Sequence, residues 1–105
     1  MRIPDQLHCI IANKQYIEKA VIQDDKEIFF LELHGEIDIV YLTSNIAILY
    51  NEDSYSLGLP KNLLGIYGKA IICKHIEGKL ISLTAEEQDA ILKIIKDAAL
   101  TGEEV

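Results

Sequence analysis

A short polar segment carries most of the side chains in this chain that could recognise a ligand. Residues 51–62 read Asn-Glu-Asp-Ser-Tyr-Ser-Leu-Gly-Leu-Pro-Lys-Asn and lie between two apolar runs. The asparagines at its ends can each donate and accept hydrogen bonds, and its two carboxylates accept them. Tyrosines close by in sequence add amphipathic rings that suit recognition. We predict a binding surface made of Asn51, Glu52, Tyr55, Leu59, Pro60 and Asn62, together with Tyr41 and Tyr67.

The same segment can be explained by the needs of the backbone. Asn51 and Asp53 are typical turn residues. Gly58 would supply a positive φ, and Pro60 would rigidify the passage from strand to loop. Under this interpretation the polar groups bond to the main chain and no ligand is needed. The two interpretations differ in where the amides and carboxylates point.

Other residues with reactive or metal-binding side chains form weaker patterns. Cys73 and His75 would share one face of a strand. His8 and Cys9 are adjacent, so only one of them could join that pair, which leaves three ligands where structural zinc takes four. A carboxylate of residues 51–62 could serve as the base of a small hydrolase, but no orienting partner can be nominated for it. We therefore expect no metal, no cofactor and no catalytic centre.

The composition limits the class of partner. The 105 residues include 17 acidic and 10 basic side chains, and the net charge is −7. Binding of nucleic acid depends on Lys and Arg neutralising phosphates, so we expect no nucleic-acid partner. No run approaches the ~18 apolar residues that a membrane span requires. Two cysteines in a chain that opens without an apolar leader indicate a reducing compartment, and we expect a cytoplasmic protein.

Alternating and continuous apolar runs predict a mostly antiparallel sheet. Hairpins are indicated where two runs are separated by a short polar stretch. Thr43, Ser44 and Asn45 would form one such turn, because asparagine tolerates the left-handed conformation of a bulged hairpin loop. The sheet should contain five or six strands, at residues 7–12, 16–22, 36–42, 46–50, 69–76 and 80–83.

A short helix is predicted between the first two hairpins. Residues 24–34 begin with Asp24 in an N-cap position, and Glu27 three residues later could complete a capping box. Gly35 could end the helix. The apolar run at residues 28–33 is too short for its periodicity to exclude a buried strand.

The C-terminal segment has a clearer helical pattern. Residues 84–100 begin with Thr84 as N-cap and Glu87 at the capping-box position, ahead of an apolar stripe that should pack on the sheet. The chain is long enough for one domain and too short for two. We predict a single α+β domain, with frayed ends at residues 1–5 and 101–105.

The order of motifs around residues 51–62 resembles a family of short domains of unknown function that bacteriophages and other mobile genetic elements encode. The family pattern is a glycine with an Ile-rich strand, a hairpin, an Asn-Glu turn, a Gly-Leu-Pro-x-Asn loop, a second glycine and a Ser-Leu-Thr helix start. Here these elements are Gly35, residues 37–42, residues 46–50, Asn51-Glu52, residues 58–62, Gly68 and residues 82–84. The resemblance covers residues 24–95 and implies a phage or plasmid accessory protein of unassigned activity.

Three functions are compatible with these observations. The first is a non-catalytic accessory protein that binds a host protein through residues 51–62, as a counter-defence factor would. The second is a sponge for a small nucleotide-like immune signal, with tyrosine rings on its base and Lys61 and Lys69 near its phosphates. The third is the small hydrolase described above. Edge strands of a small sheet also favour pairing of two copies, so a homodimer is expected.

Overall fold

The computed structural model describes residues 6–62 and 64–100. Six strands form one sheet and two helices pack on it, so the predicted α+β class is confirmed. The residues predicted to fray, 1–5 and 101–105, lie outside the described part of the chain. In chain order the elements are β1 (Gln6–Ala12), β2 (Ile17–Gln23), α1 (Lys26–Leu33), β3 (Ile37–Tyr41), β4 (Ile46–Asn51), β5 (Ala70–Ile76), β6 (Lys79–Ile81) and α2 (Ala85–Leu100).

Strand β5 lies at the centre of the sheet. The strand order is β2-β1-β5-β4-β3, and β6 pairs with the end of β5. Ile72 of β5 faces Ile10 of β1 on one side and Ile48 of β4 on the other. The three predicted hairpins, β1–β2, β3–β4 and β5–β6, are confirmed as antiparallel pairs. Strands β2 and β3 are the outer strands of the sheet.

Both faces of the sheet carry apolar side chains, because successive residues of a strand point to opposite sides. Helix α1 covers one face, which we call the α1 face, and helix α2 covers part of the other, which we call the α2 face. The buried residues of the α1 face are Leu7, Cys9, Phe29, Leu33, Ala47, Leu49, Ile71 and Cys73. Those of the α2 face are Ile10, Ile48, Ala70, Ile72 and Leu83, on which Ile91, Leu92 and Ile95 pack.

The two cysteines belong to the core of the α1 face. Cys9 and Cys73 are free thiols and fully buried. Burial raises the pKa of each thiol to about 12, with a smaller contribution from the charge of Glu32 at Cys9. Both side chains are therefore protonated at neutral pH and act as small hydrophobic groups.

Residues 28–33, for which the sequence allowed either a helix or a buried strand, belong to helix α1. The prediction that Asp24 caps it is wrong, because Asp25 is the N-cap and its Oδ1 accepts a hydrogen bond from the Glu27 amide at 2.8 Å. The helix ends at Leu33, and His34 takes the left-handed conformation with φ 62°.

Helix α2 begins as predicted. The Thr84 amide donates to Glu87 Oε1 at 2.8 Å, and the Glu87 amide donates to Thr84 Oγ1 at 3.1 Å, which confirms the capping box. The pKa of Glu87 is lowered, first by the Thr84 amide and then by the Lys74 ammonium, which lies 2.9 Å away. Gln88 Nε2 donates to the Cys9 carbonyl at 2.9 Å and ties the helix to β1.

The β3–β4 turn is built differently from its prediction. We expected Asn45 to adopt a left-handed conformation, but among the described residues only His34 and Glu77 do so outside glycine. Thr43 organises the turn instead, because its Oγ1 accepts hydrogen bonds from the amides of Asn45 at 3.3 Å and Ile46 at 3.1 Å. The hairpin still places the end of β4 at the start of the polar segment.

Candidate functional site

Asn51 joins the end of helix α1 to the start of the polar segment. It is 2% exposed, and its Nδ2 donates to the carbonyls of Leu33 at 3.1 Å and His34 at 2.9 Å. Its Oδ1 accepts from the Asp53 amide at 2.8 Å. The backbone of Gly35 lies so close that a Cβ there would be 2.8 Å from Nδ2. The Asn51 amide is thus bonded to the main chain on both of its atoms.

Asn62 bonds to the main chain in the same way at the other end of the segment. Its Nδ2 donates to the Gly68 carbonyl at 2.8 Å. Its Oδ1 accepts from the amides of Leu64 at 2.7 Å and Ile66 at 3.1 Å. The side chain is buried, and it closes the loop that leads back to β5. Both asparagines therefore follow the backbone interpretation of the sequence, because the nitrogen and the oxygen of each amide bond to the main chain.

A pocket of about 260 Å³ opens beside this loop. It lies on the α2 face at the β3 edge of the sheet, where residues 52–62 and 64–69 rather than α2 cover β3 and β4. The strands contribute Val40 and Tyr50. Asp38 pairs with Tyr50 across the hairpin, so their side chains lie on the same face of the sheet. Val40 is two residues after Asp38 in β3 and therefore shares that face. The full set of lining residues is Val40, Tyr50, Asn51, Glu52, Ser54, Tyr55, Ile66 and Tyr67.

Three of the five tyrosines of the chain line the pocket. Tyr55 is 74% exposed, and its ring meets the Tyr67 ring edge to face, with centroids 5.0 Å apart. The Lys61 ammonium lies 5.3 Å from the centroid of the Tyr67 ring. The Tyr50 hydroxyl donates to Asp38 Oδ2 at 3.0 Å, and this bond is the main reason why the pKa of Tyr50 is raised.

The other predicted residues lie outside the pocket. Tyr41 is on the opposite face of the sheet, where its hydroxyl bonds to Nδ1 of His75 and the two rings stack. Leu59 and Pro60 hold the loop together, since the Leu59 amide donates to the Ser54 carbonyl and the Pro60 carbonyl accepts from the Gly68 amide. Of the eight residues that the sequence nominated, Asn51, Glu52, Tyr55 and Tyr67 come together around the pocket.

Four lining residues are missing from the sequence prediction: Val40, Tyr50, Ser54 and Ile66. The alternation of β3 and β4 contains a signal for the first two, because their faces follow once the hairpin register is known. Ser54 has no such signal. It is 2% exposed, and its Oγ has no hydrogen-bond partner among the described residues. That hydroxyl packs on Gly68, where a Cβ would come within 2.7 Å of it.

The carboxylates of Glu52 and Asp38 and the ammonium of Lys61 lie near the pocket, so carboxylates outnumber ammonium groups there among the described residues. Glu52 lies in its wall, and Asp38 holds the Tyr50 hydroxyl. The charges of both carboxylates also contribute to the raised pKa of Tyr50. Lys69, which we nominated as a phosphate ligand, forms an ion pair with Glu32 at 3.2 Å. Within residues 6–62 and 64–100, no group of three His, Cys, Asp or Glu side chains is arranged to hold a metal ion.

Comparison of the chain with protein-family models, with curated proteins and with solved structures gives no match. The family resemblance and the phage origin that it implies therefore stay predictions. Of the helices in the described part of the chain, none has both the length and the apolar character needed to cross a membrane.

Proposed function

We propose that the protein is a non-catalytic binding protein whose pocket and surrounding apolar side chains engage a partner protein. The observation that carries the proposal is the exposed tyrosine at the pocket mouth. Tyr55 is 74% exposed and Leu57, two residues further, is 60% exposed, although the asparagines that frame the loop are buried. Rigid aromatic side chains beside a pocket are typical anchors of protein interfaces.

A partner protein fits the pocket better than a nucleotide does. Its volume of about 260 Å³ lies just below the ~300 Å³ at which pockets for drug-sized ligands begin. A nucleotide also brings phosphates, which would meet Glu52 in the wall and Asp38 beside Tyr50. The nucleotide sponge therefore has the rings that it needs, but the ammonium beside them, that of Lys61, is outnumbered by these two carboxylates.

A hydrolase is disfavoured by the surroundings of its proposed base. Catalysis by a carboxylate requires an orienting partner and a group that stabilises the developing charge. Glu52 and Asp53 are exposed, and the Asn51 amide beside them is bonded to the main chain, so it is not placed to orient either carboxylate.

The resemblance to mobile-element domains supports the choice of partner. It implies an accessory protein that acts on a bacterial host, and we propose a host protein, such as a component of bacterial defence, as the target. This part of the proposal rests on the succession of motifs from Gly35 to residues 82–84.

The expected homodimer would use a sheet edge, and one edge is partly blocked. The amide of Ile39 in β3 points away from β4 and donates to Asp38 Oδ1 of the same strand at 2.8 Å. A strand from a second copy would have to compete with this bond. The homodimer stays a prediction, which light scattering of the purified protein would test.

The proposed function is tested by capture of a partner from bacterial lysate, followed by reconstitution. The tagged protein would be compared with the double variant Tyr55→Ala/Leu57→Ala and with Tyr16→Ala, which removes an exposed tyrosine in the β1–β2 turn. We expect a protein that wild type and Tyr16→Ala both retain and the double variant loses. The purified partner should then bind wild type in calorimetry, with affinity reduced at least about tenfold by the double variant.

Equal binding of a purified partner by all three proteins would place its interface elsewhere on the surface. Turnover of a substrate by wild type that Glu52→Gln abolishes would contradict the non-catalytic role. The amide dispersion of each variant in NMR spectra serves as the control for folding.

A further inference from the structure

Three aromatic rings line the pocket, and aromatic rings attract positive charge at their faces. The rings are those of Tyr50, Tyr55 and Tyr67. A ring face carries negative potential, and an ammonium or guanidinium group within about 6 Å of the centroid is stabilised by it. One instance already exists at this site, because the Lys61 ammonium lies 5.3 Å from the Tyr67 centroid.

Carboxylates strengthen this preference. Glu52 lines the pocket, and the Tyr50 hydroxyl donates to Asp38 Oδ2 at 3.0 Å. The Tyr50 pKa is raised by that bond, by burial and by the charges of Asp38 and Glu52. Of these causes, the charges of the two carboxylates, which come after the hydrogen bond and burial, also favour a positive charge beside the hydroxyl.

The size of the pocket favours a single side chain. A volume of about 260 Å³ is below the range of most small-molecule sites, which begin near ~300 Å³. Val40 lines the pocket, and the exposed Leu57 follows Tyr55 by two residues, so both are available to residues that flank such a side chain.

From these observations we infer that the pocket binds an arginine or lysine side chain of the partner protein, by its three tyrosine rings and Glu52. The inference rests on the proposed function and specifies its chemistry. The rings stabilise the cation, Glu52 provides the opposite charge, and the surface around the pocket contacts the backbone of the partner. No covalent step is involved.

The test uses short peptides and NMR amide shifts of the full-length protein. The probes are acetyl-Leu-Arg-Leu-amide, its lysine counterpart, the citrulline counterpart as a neutral analogue of arginine, methylguanidinium alone, and adenosine monophosphate. We expect the two cationic peptides to shift the amides of Glu52, Ser54 and Tyr55. Citrulline should bind about two- to tenfold more weakly, and methylguanidinium more weakly than the arginine peptide.

Variants test whether the arginine peptide binds in the pocket. Tyr55→Leu and Glu52→Gln should each weaken the arginine peptide about two- to tenfold. Tyr16→Leu removes an exposed tyrosine elsewhere and should leave binding unchanged. Lys61→Gln removes the ammonium beside Tyr67 and should strengthen binding, because it frees a ring for the incoming cation. Binding should also weaken between 25 mM and 500 mM salt.

The outcomes separate this inference from the proposed function. Equal affinity for the arginine and citrulline peptides would contradict the preference for a cationic side chain, although the pocket would remain a binding site. Shifts of the pocket amides by adenosine monophosphate alone would overturn it in favour of the nucleotide sponge. Absence of any shift at millimolar peptide would also overturn it, and the capture experiment, which uses whole partners, would still decide the proposed function.

Discussion

Two covers lie on the α2 face of the sheet, and they differ in how completely they close it. Over β1 and β5, helix α2 packs Ile91, Leu92 and Ile95 on the sheet, and Ile10 and Ile72 beneath them are fully buried. Over β3 and β4 the cover is the loop formed by residues 52–62 and 64–69, and there Val40 stays 44% exposed in the wall of an open pocket.

The difference follows from hydrogen bonding. A helix satisfies its own main chain and can devote one side to apolar packing. A loop does not satisfy all of its own main-chain hydrogen bonds. In this loop, two buried asparagine side chains bond to its main chain and to that of neighbouring residues. Leu64 packs on the core of this face, while Tyr55, Ile66 and Tyr67 surround a space instead of filling it. Under the proposed function, the asparagines of this segment stabilise the fold and its tyrosines contact the partner.

The largest expected effect is the loss of the asparagine that anchors the loop to helix α1. Asn51→Ala would leave the carbonyls of Leu33 and His34 and the amide of Asp53 without their partners. We expect a loss of about 2 to 4 kcal/mol in the free energy of unfolding, measured by urea denaturation. Asn45→Ala changes an exposed asparagine in the β3–β4 turn and should cost less than about 0.5 kcal/mol. Equal losses for the two variants would refute the anchoring role.

A smaller and more local effect is expected at the other end of the loop. Asn62→Ala removes the acceptor of the Leu64 and Ile66 amides. We expect a loss of about 1 to 3 kcal/mol and faster hydrogen exchange at those two amides. Asn13→Ala is the matched control, because Asn13 Oδ1 accepts two amides in an exposed turn far along the chain. If the control accelerated the same amides equally, the effect would be global unfolding rather than release of the loop.

The contribution of Glu87 in helix α2 to the free energy of unfolding should depend on pH. The pKa of Glu87 is lowered from its ordinary 4.5 by the Thr84 amide and then by Lys74, so its contribution is present above about pH 4.5 and is lost as the pH falls through the lowered value. Glu87→Gln should therefore cost less than about 1 kcal/mol at pH 7 and almost nothing at pH 2. Glu86→Gln in the same turn is the control, because Glu86 is an acidic residue of the first turn that is not part of the capping box. A constant difference for Glu87→Gln at both pH values would argue against the ionic contribution.

The smallest effect should have the opposite sign. Ser54→Ala removes a buried hydroxyl that has no hydrogen-bond partner among the described residues. The free energy of unfolding should stay unchanged or rise by up to about 1 kcal/mol, because an unsatisfied buried polar group is removed. Ser56→Ala changes an exposed serine of the same loop and should be neutral. A loss above 1 kcal/mol for Ser54→Ala would show that the hydroxyl is satisfied.

Local patterns were sufficient to predict most of the fold. The capping box at Thr84 and Glu87 and the alternation of the strands depend on residues close in sequence, and both are confirmed. The exact cap of α1 was missed, because Asp24 and Asp25 are equally suitable cap residues by type and only the backbone conformation distinguishes them.

The candidate site depended on contacts that the sequence does not encode locally. Asn51 bonds to carbonyls 17 and 18 residues earlier in the chain. Tyr41 and Tyr50 are near each other in sequence, yet the hairpin register places them on opposite faces of the sheet. Residue type thus identified the segment, while the division of its side chains into anchors and pocket walls required the tertiary structure.

The most direct measurement is the set of intermolecular NOEs between the arginine side chain of acetyl-Leu-Arg-Leu-amide and the five tyrosine rings of the protein. We predict NOEs from the arginine δ protons to the rings of Tyr50, Tyr55 and Tyr67, and none to Tyr16 or Tyr41. NOEs confined to Tyr16 or Tyr41, or no NOE to any ring at a saturating peptide concentration, would contradict the assignment of this pocket as a binding site for a cationic side chain.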